Sequence, residues 1–314
     1  MTPHDRHPSP PAAVALVLSG GSARGFAHLG VLQVLEREGL RPDLVVGTSA
    51  GAMAGALWAA GMSAAEIETL ARRVDRATVF DISPWRSLVA GLGLGLARGE
   101  RLERLLRAHL PHSIRDLPTR FAAVATDLNS GGTVVLDDGD LARALRASAA
   151  IPGLVQPVRI GSRLLGDGQI VSPLPVEAAR RLGARRVVAV DVVYPPAHAV
   201  LSNPLSVVFQ TLVIASYRHL EREREAADLV LTPAIPRVAW QLGLGEGAHL
   251  VQAGADAAER ALPRLRELFG QPEGVVHSRG EQTAEETKTS PASAGCALLP
   301  GAFAERSAVS ASLL

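Results

Sequence analysis

Residues 44–51, Leu44-Val45-Val46-Gly47-Thr48-Ser49-Ala50-Gly51, set the architecture of the chain. A short β-branched run stops at Gly-x-Ser-x-Gly and opens directly into an Ala-rich helical segment. That strand, sharp turn and helix context makes the pentapeptide a nucleophile elbow, with Ser49 as the candidate nucleophile. Gly47, Ala50 and Gly51 have a steric reason to be small, because a serine in a tight, strained turn brings its neighbours against both strand and helix. Thr48 completes the elbow. Taken alone, the same residues also fit a tight turn with an inert serine.

Upstream, residues 12–18 are continuously apolar, as in a strand buried on both faces. The run ends at Ser19-Gly20-Gly21-Ser22-Ala23-Arg24-Gly25. From Ala27 to Arg37, Leu29, Leu32 and Leu35 recur at helical spacing, and Gly39 closes the helix. With the strand at 44–47 this is a right-handed βαβ unit. Its Gly-rich turn aims backbone N–H groups at one point, where they hold an anion, either a phosphate or a developing oxyanion. A dinucleotide fold wants an acid at the end of the second strand, but Asp43 precedes that strand and Gly47-Thr48-Ser49 ends it. No Gly-Lys-Ser/Thr follows for a nucleoside triphosphate. The oxyanion reading therefore gains, with Arg24 as a cation near the point or, alternatively, a surface salt-bridge partner.

Downstream, Gly61 ends the elbow helix, and Ser63 with Glu66 forms a capping box for a helix to about Val74. Residues 80–99 interleave Trp85, Leu88, Val89, Leu92, Leu94 and Leu96 with glycines, which fits a lid or lipid-facing surface or a connector over the core. A helix over 100–109 and strands over 121–126 and 133–136 follow, then a helix capped by Asp140 and broken at Ile151-Pro152-Gly153. A hairpin turning at Gly161-Ser162 delivers Gly166-Asp167-Gly168, with Asp167 expected exposed on a tight turn. Further segments read as a helix after Pro173 and Pro175, a strand over 186–193, a helix over 204–227, a strand over 228–232 and a helix over 247–269 kinked at Pro263. Residues 1–11 and 271–314 read as disordered segments around a domain of residues 12–270.

The composition narrows the function classes. Lys and Arg total 32 against 31 Asp and Glu, so no long-range field points to nucleic acid. Three Trp, two Tyr and six Phe are too few for a base-stacking platform. The single cysteine, Cys296, excludes a disulfide framework or Cys-based metal site and fits a reducing, cytoplasmic setting. No signal peptide is expected at the start of the sequence. Residues 44–65 carry no charge and are long enough to cross a bilayer, but they are rich in Gly, Ala and Ser and fit close packing in an α/β core better.

A nucleophilic serine needs a proton acceptor. Nine histidines are available, yet none sits on a Gly-flanked strand end as a late catalytic histidine does, and His249 is the best of them. Asp167 has the right position, but a carboxylate of ordinary pKa, about 4, is a weak base toward a hydroxyl. Apolar surroundings that raise its pKa would make it competent, with an oxyanion hole supplying most of the stabilisation.

Three motifs in this order, Leu18 through Gly25, Gly47-Thr48-Ser49-Ala50-Gly51 and Gly166-Asp167-Gly168, resemble the patatin-like phospholipases. Ala123-Val124-Ala125-Thr126-Asp127-Leu128, Ser148-Ala149-Ala150-Ile151-Pro152-Gly153 and Pro173-Leu174-Pro175-Val176 are similar to that family's bacterial members. The resemblance implies an α/β, three-layer fold with a mostly parallel central sheet and helices on both faces. It also implies a Ser–Asp dyad of Ser49 and Asp167, with Gly20, Gly21, Ser22, Ala23, Arg24 and Gly25 as the oxyanion motif. Two positions depart from the pattern. Ser22 replaces a third glycine, and a working hole is expected unless this position needs positive φ. Gln169 stands after Asp167-Gly168 where Gly or Ala is usual, adding bulk beside the base that would narrow an acyl pocket.

These residues imply a serine acyl hydrolase of phospholipid or lysophospholipid esters that needs no metal or organic cofactor. It would be cytoplasmic and in transient, peripheral contact with the inner face of a membrane, with residues 85–96 as the expected contact. Two other readings stay open: a regulatory or adaptor protein on the same scaffold with incidental esterase activity, and a phosphate or nucleotide binder through residues 19–25.

Overall fold

The computed structural model describes residues 13–74, 78, 81, 95–193, 196, 204–235 and 247–270. All of these belong to one unit, Met1–Gly274. The terminal segments expected to be disordered, and the expected lid over 80–99 except Asp81 and residues 95–99, lie outside the described residues.

Strand β1 (Val14–Leu18), helix α1 (Phe26–Arg37) and strand β2 (Leu44–Thr48) form the expected βαβ unit. β1 and β2 pair in parallel, Ala15 opposite Leu44 through Leu18 opposite Gly47. Helix α2 (Ala50–Ala59) leaves the elbow, and α3 (Ala64–Arg73) starts at the Ser63–Glu66 capping box. Then come β3 (Gly95–Ala97), α4 (Glu100–His109), β4 (Arg120–Asp127), β5 (Thr133–Leu136) and α5 (Leu141–Ser148), the last capped by the Asp140 carboxylate. β6 (Gly153–Val155), β7 (Val158–Ile160) and β8 (Arg163–Asp167) follow, then α6 (Val176–Arg181), β9 (Arg186–Val190), α7 (Pro204–Glu225) and β10 (Leu229–Leu231). β3 and β6, not expected from the sequence, pair with each other and, among the described residues, with no other strand. β9 ends at Val190, short of the expected 193, although the Asp191 N–H still donates to the Leu231 carbonyl of β10 at 2.9 Å. The expected kinked helix over 247–269 is two helices, α8 (Gly247–Arg260) and α9 (Leu262–Leu268). Pro263 falls in the first turn of α9, where its missing N–H costs nothing, so it starts a helix instead of bending one.

The main sheet runs β10-β9-β1-β2-β4-β8-β7, with β5 also on β4. β10, β9, β1, β2 and β4 are parallel. Alternate strand residues feed two cores, as expected for a sheet covered on both faces. Leu16, Leu18, Val45, Phe121 and Val188 pack with α1, α2, α5 and α8. Ala15, Val17, Leu44, Val46 and Val187 pack with α6 and Leu220 of α7. α1 crosses α8 at backbone contact: a Cβ on Gly254 would lie 1.9 Å from the Ala27 carbonyl oxygen, and one on Gly30 1.8 Å from that of Val251.

The register of β4 places the candidate site. β5 pairs with residues 123–126, so β2, opposite 120–124, and β8, opposite 125–127, share the other edge of β4. β2 runs parallel to β4 and β8 antiparallel, so their carboxyl ends meet head to head. Thr48 stands opposite Val124 and Asp167 opposite Ala125, which brings residues 118 positions apart in sequence, Ser49 and Asp167, side by side.

Candidate active site

Ser49 links β2 to α2 with φ 53° and ψ −118°, a conformation that L-residues with a Cβ rarely adopt. The small neighbours are required by close approach. A Cβ on Gly47 would fall 2.5 Å from the Ala52 backbone, and one on Gly51 2.4 Å from the Leu18 carbonyl oxygen. The Thr48 hydroxyl donates to the Ser172 carbonyl at 2.9 Å.

The Ser49 hydroxyl donates to Oδ2 of Asp167 at 2.9 Å. Oδ1 of Asp167 accepts the Gln169 N–H at 2.8 Å. The sequence led us to expect Asp167 exposed on its turn, and it is instead buried, 4% exposed, with Ser49 at 6%. β8 wedges the turn into the gap where β2 stops, and Gly168 fits there only because it lacks a Cβ, which would lie 2.2 Å from the Val124 carbonyl oxygen. Gly166 packs against Leu128. Burial pushes the Asp167 carboxyl up to about 7, against the hydrogen bonds from Gln169 and Ser49 that favour the charged form.

The Gly-rich turn lies against both motifs. A Cβ on Gly25 would be 2.8 Å from that of Ala50, and one on Gly20 would be 2.4 Å from Oε1 of Gln169. Gln169 thus covers Gly20. The Gly20 N–H donates to the Pro173 carbonyl at 2.9 Å and the Arg24 N–H to that of Gly21 at 3.0 Å. Ser22, the departure from the glycine pattern, does sit at positive φ, 49°. Ser22 is exposed and Ala23 half-buried. Arg24 is buried, and its Nε donates to the Val192 carbonyl at 2.8 Å, tying the turn to the end of β9.

His28 is buried in α1 beneath the turn, with Nε2 2.9 Å from the Ser19 carbonyl oxygen, and burial lowers its pKa to about 4. It is therefore a neutral donor to the turn. No histidine among the described residues hydrogen-bonds Ser49 or Asp167, and His249 is exposed on α8. Among the described residues no three His, Cys, Asp or Glu are grouped to hold a metal ion, and no helix is long and apolar enough to cross a membrane.

Several supporting groups escaped the sequence reading. Glu223, buried on α7, accepts the Ser172 hydroxyl and the Glu177 N–H, each at 2.8 Å. It thereby holds the turn whose carbonyls receive Thr48 and Gly20. A lone acid in a charged helical run gives no signal of this. Ser148 was visible only as part of a family-like segment.

A sequence model of the patatin-like phospholipase family matches residues 16–180, which include the Gly-rich turn, the elbow and Asp167. An uncharacterized NTE family protein of Mycobacterium tuberculosis is 37% identical over 179 residues, 57% of this chain and 48% of that protein. Patatin-like phospholipase domain-containing protein 6 of Mus musculus is 36% identical over 184 residues, 57% of this chain and 13% of that protein. The chain spans about half the length of the mycobacterial relative (48%). Among solved structures, VipD from Legionella pneumophila shares the fold with TM-score 0.50 and 16% identity, covering 82% of this chain and 67% of that one. By a match running from β1 through Asp167 into α6, the chain belongs to the patatin-like phospholipase family.

Proposed function

We propose that the chain hydrolyses fatty-acyl esters of phospholipids or lysophospholipids through an acyl-enzyme on Ser49. The observation that carries this is the 2.9 Å hydrogen bond from the Ser49 hydroxyl to Asp167, buried where the Gly-rich turn meets the elbow. Ser49 Oγ attacks the ester carbonyl as its proton passes to Asp167 Oδ2. A carboxyl held at about 7 retains that proton better than an ordinary aspartate and returns it to the departing alcohol. Water then attacks the acyl group and gives a proton to Asp167, which passes it to Ser49 Oγ as the bond to the acyl group breaks and the fatty acid leaves. The oxyanion falls to the N–H groups of Gly21, Ser22 and Ala23, since those of Gly20 and Arg24 already serve the turn itself. Gly25 and Arg24 support the hole by their packing on Ala50 and Val192. The N–H of Ala50, at the start of α2, is a further donor by analogy with other elbows. No metal or organic cofactor enters this scheme. A substrate held in a bilayer requires transient, peripheral contact with the membrane surface.

A fluorophosphonate probe and a series of acyl esters and lysophospholipids test this. Wild type is expected to be labelled and to turn over, Ser49→Ala to lose labelling, and Asp167→Asn to lose about 10²–10⁴-fold in rate. Full labelling of Ser49→Ala would remove Ser49 as the nucleophile. An unlabelled, inactive wild type would favour an adaptor on this scaffold.

A further inference from the structure

The nucleophile's own N–H is already engaged. Ser148, the last residue of α5 and fully buried, accepts the Ser49 N–H on its hydroxyl oxygen at 2.9 Å. The same hydroxyl donates to the Val124 carbonyl at 2.6 Å. Thr48 opposite Val124 is the last pair between β2 and β4. One more rung of that ladder would join the Ser49 N–H to the Val124 carbonyl directly. The elbow lifts Ser49 out of the ladder, and the Ser148 hydroxyl spans the gap, satisfying both buried groups.

We propose that Ser148 is a positioning residue for the reaction. It holds the Ser49 backbone at its positive φ and keeps that N–H out of the oxyanion hole. This rests on Ser49 being the nucleophile. The serine is then fixed at three points: its N–H by Ser148, its carbonyl by the Met53 N–H at 3.1 Å, and its hydroxyl by Asp167. Strained conformations persist only where the surroundings over-determine them. Without the Ser148 hydroxyl, the Ser49 N–H and the Val124 carbonyl are left buried and unpaired. The relief open to them is to close the rung, which turns the Thr48–Ser49 peptide and carries Oγ away from Asp167. Displacement of a reacting group by about 1 Å costs on the order of 100-fold in rate.

The experiment compares wild type, Ser148→Ala and Ser148→Cys for the rate of fluorophosphonate labelling, and for kcat, KM and pH dependence on a soluble ester. Folded fraction is followed by circular dichroism. Ser148→Ala is expected to label about 10- to 100-fold more slowly, with kcat down by the same factor and KM within about twofold. Ser148→Cys, similar in size with a weaker donor and acceptor, is expected to fall between. The pH midpoint should move up, because the displaced Ser49 hydroxyl no longer gives Asp167 the hydrogen bond that favours its charged form. A folded Ser148→Ala that labels within about twofold of wild type overturns the proposal. So does a loss explained entirely by fewer folded molecules with unchanged rate per site. A wild type that does not label at all refutes the hydrolase reading instead.

Discussion

Replacing Asp167 with Asn should make the protein more stable, and increasingly so as pH rises. Burial carries the Asp167 carboxyl from 3.8 to about 7. Between those values the folded state keeps a proton that the unfolded state has released, so stability falls as pH rises through that window. At about 1.4 kcal/mol per pH unit, the full cost above pH 7 is about 4 kcal/mol. Asparagine does not titrate, so its own fixed hydrogen-bonding differences cancel when two pH values are compared. From pH 5 to pH 8 the stability of Asp167→Asn should gain about 2–3 kcal/mol relative to wild type. The comparison is needed because His28 opposes it. With its pKa lowered from 6.5 to about 4, His28 withholds a proton that the unfolded state binds, and stability falls as pH drops through that range. In wild type the two slopes nearly offset. Urea unfolding of both proteins at pH 5, 6, 7 and 8 measures the difference. A difference flat to within about 0.5 kcal/mol across this range would show that Asp167 is not held up by burial, and the base assignment would lose its physical basis.

Two backbone positions give further checks. Ser22→Gly should stabilise the fold by about 0.5–1 kcal/mol, seen as a higher urea midpoint. It relieves the 49° φ, while the freer unfolded glycine chain takes part of the gain back. A lower midpoint would mean that the serine side chain stabilises the turn. Gly254→Ala should cost about 3 kcal/mol, because its Cβ would lie 1.9 Å from the Ala27 carbonyl oxygen and force α1 and α8 apart. Gly132→Ala, whose Cβ meets only the Ser130 hydroxyl at 3.3 Å, serves as the control, and equal effects from the two would contradict the packing described.

The elbow, the Gly-rich turn and the parallel strands around them were legible in the sequence because each obeys a local rule. A β-branched run becomes β1 or β2, and a capping box starts α3. Asp167 was legible as a candidate, but its burial was not. Glycine flanks look the same in an exposed loop and in a wedge against another strand, and only the register of β4 distinguishes the two. The β3–β6 pair was missed since three-residue strands leave no periodicity. Helices α8 and α9 were merged because a proline in a first turn and one inside a helix read alike when the boundary at Ala261 carries no cap signal. Glu223, Ser148 and His28 stayed hidden for a shared reason: each serves a backbone group remote in sequence, and nothing local records that partner.

The distribution of strain joins these hidden groups to the chemistry. Ser22 and Ser49 are the only non-glycine residues at positive φ among the described residues, and their turns are packed together through Gly25 and Ala50. Such conformations cost about 1–3 kcal/mol each and need rigid surroundings. Around Ser49 those surroundings are Ser148 and Thr48. Around the turn they are His28 on the Ser19 carbonyl, Arg24 on the Val192 carbonyl and the Pro173 carbonyl on the Gly20 N–H. Most of these ties end on main-chain atoms at the carboxyl ends of β1 and β9, in the middle of β4 or on the turn after β8. The parallel sheet thus acts as the frame that keeps two strained turns packed together and Ser49 on one buried carboxylate, and a change that loosens any one tie should show in rate before it shows in fold.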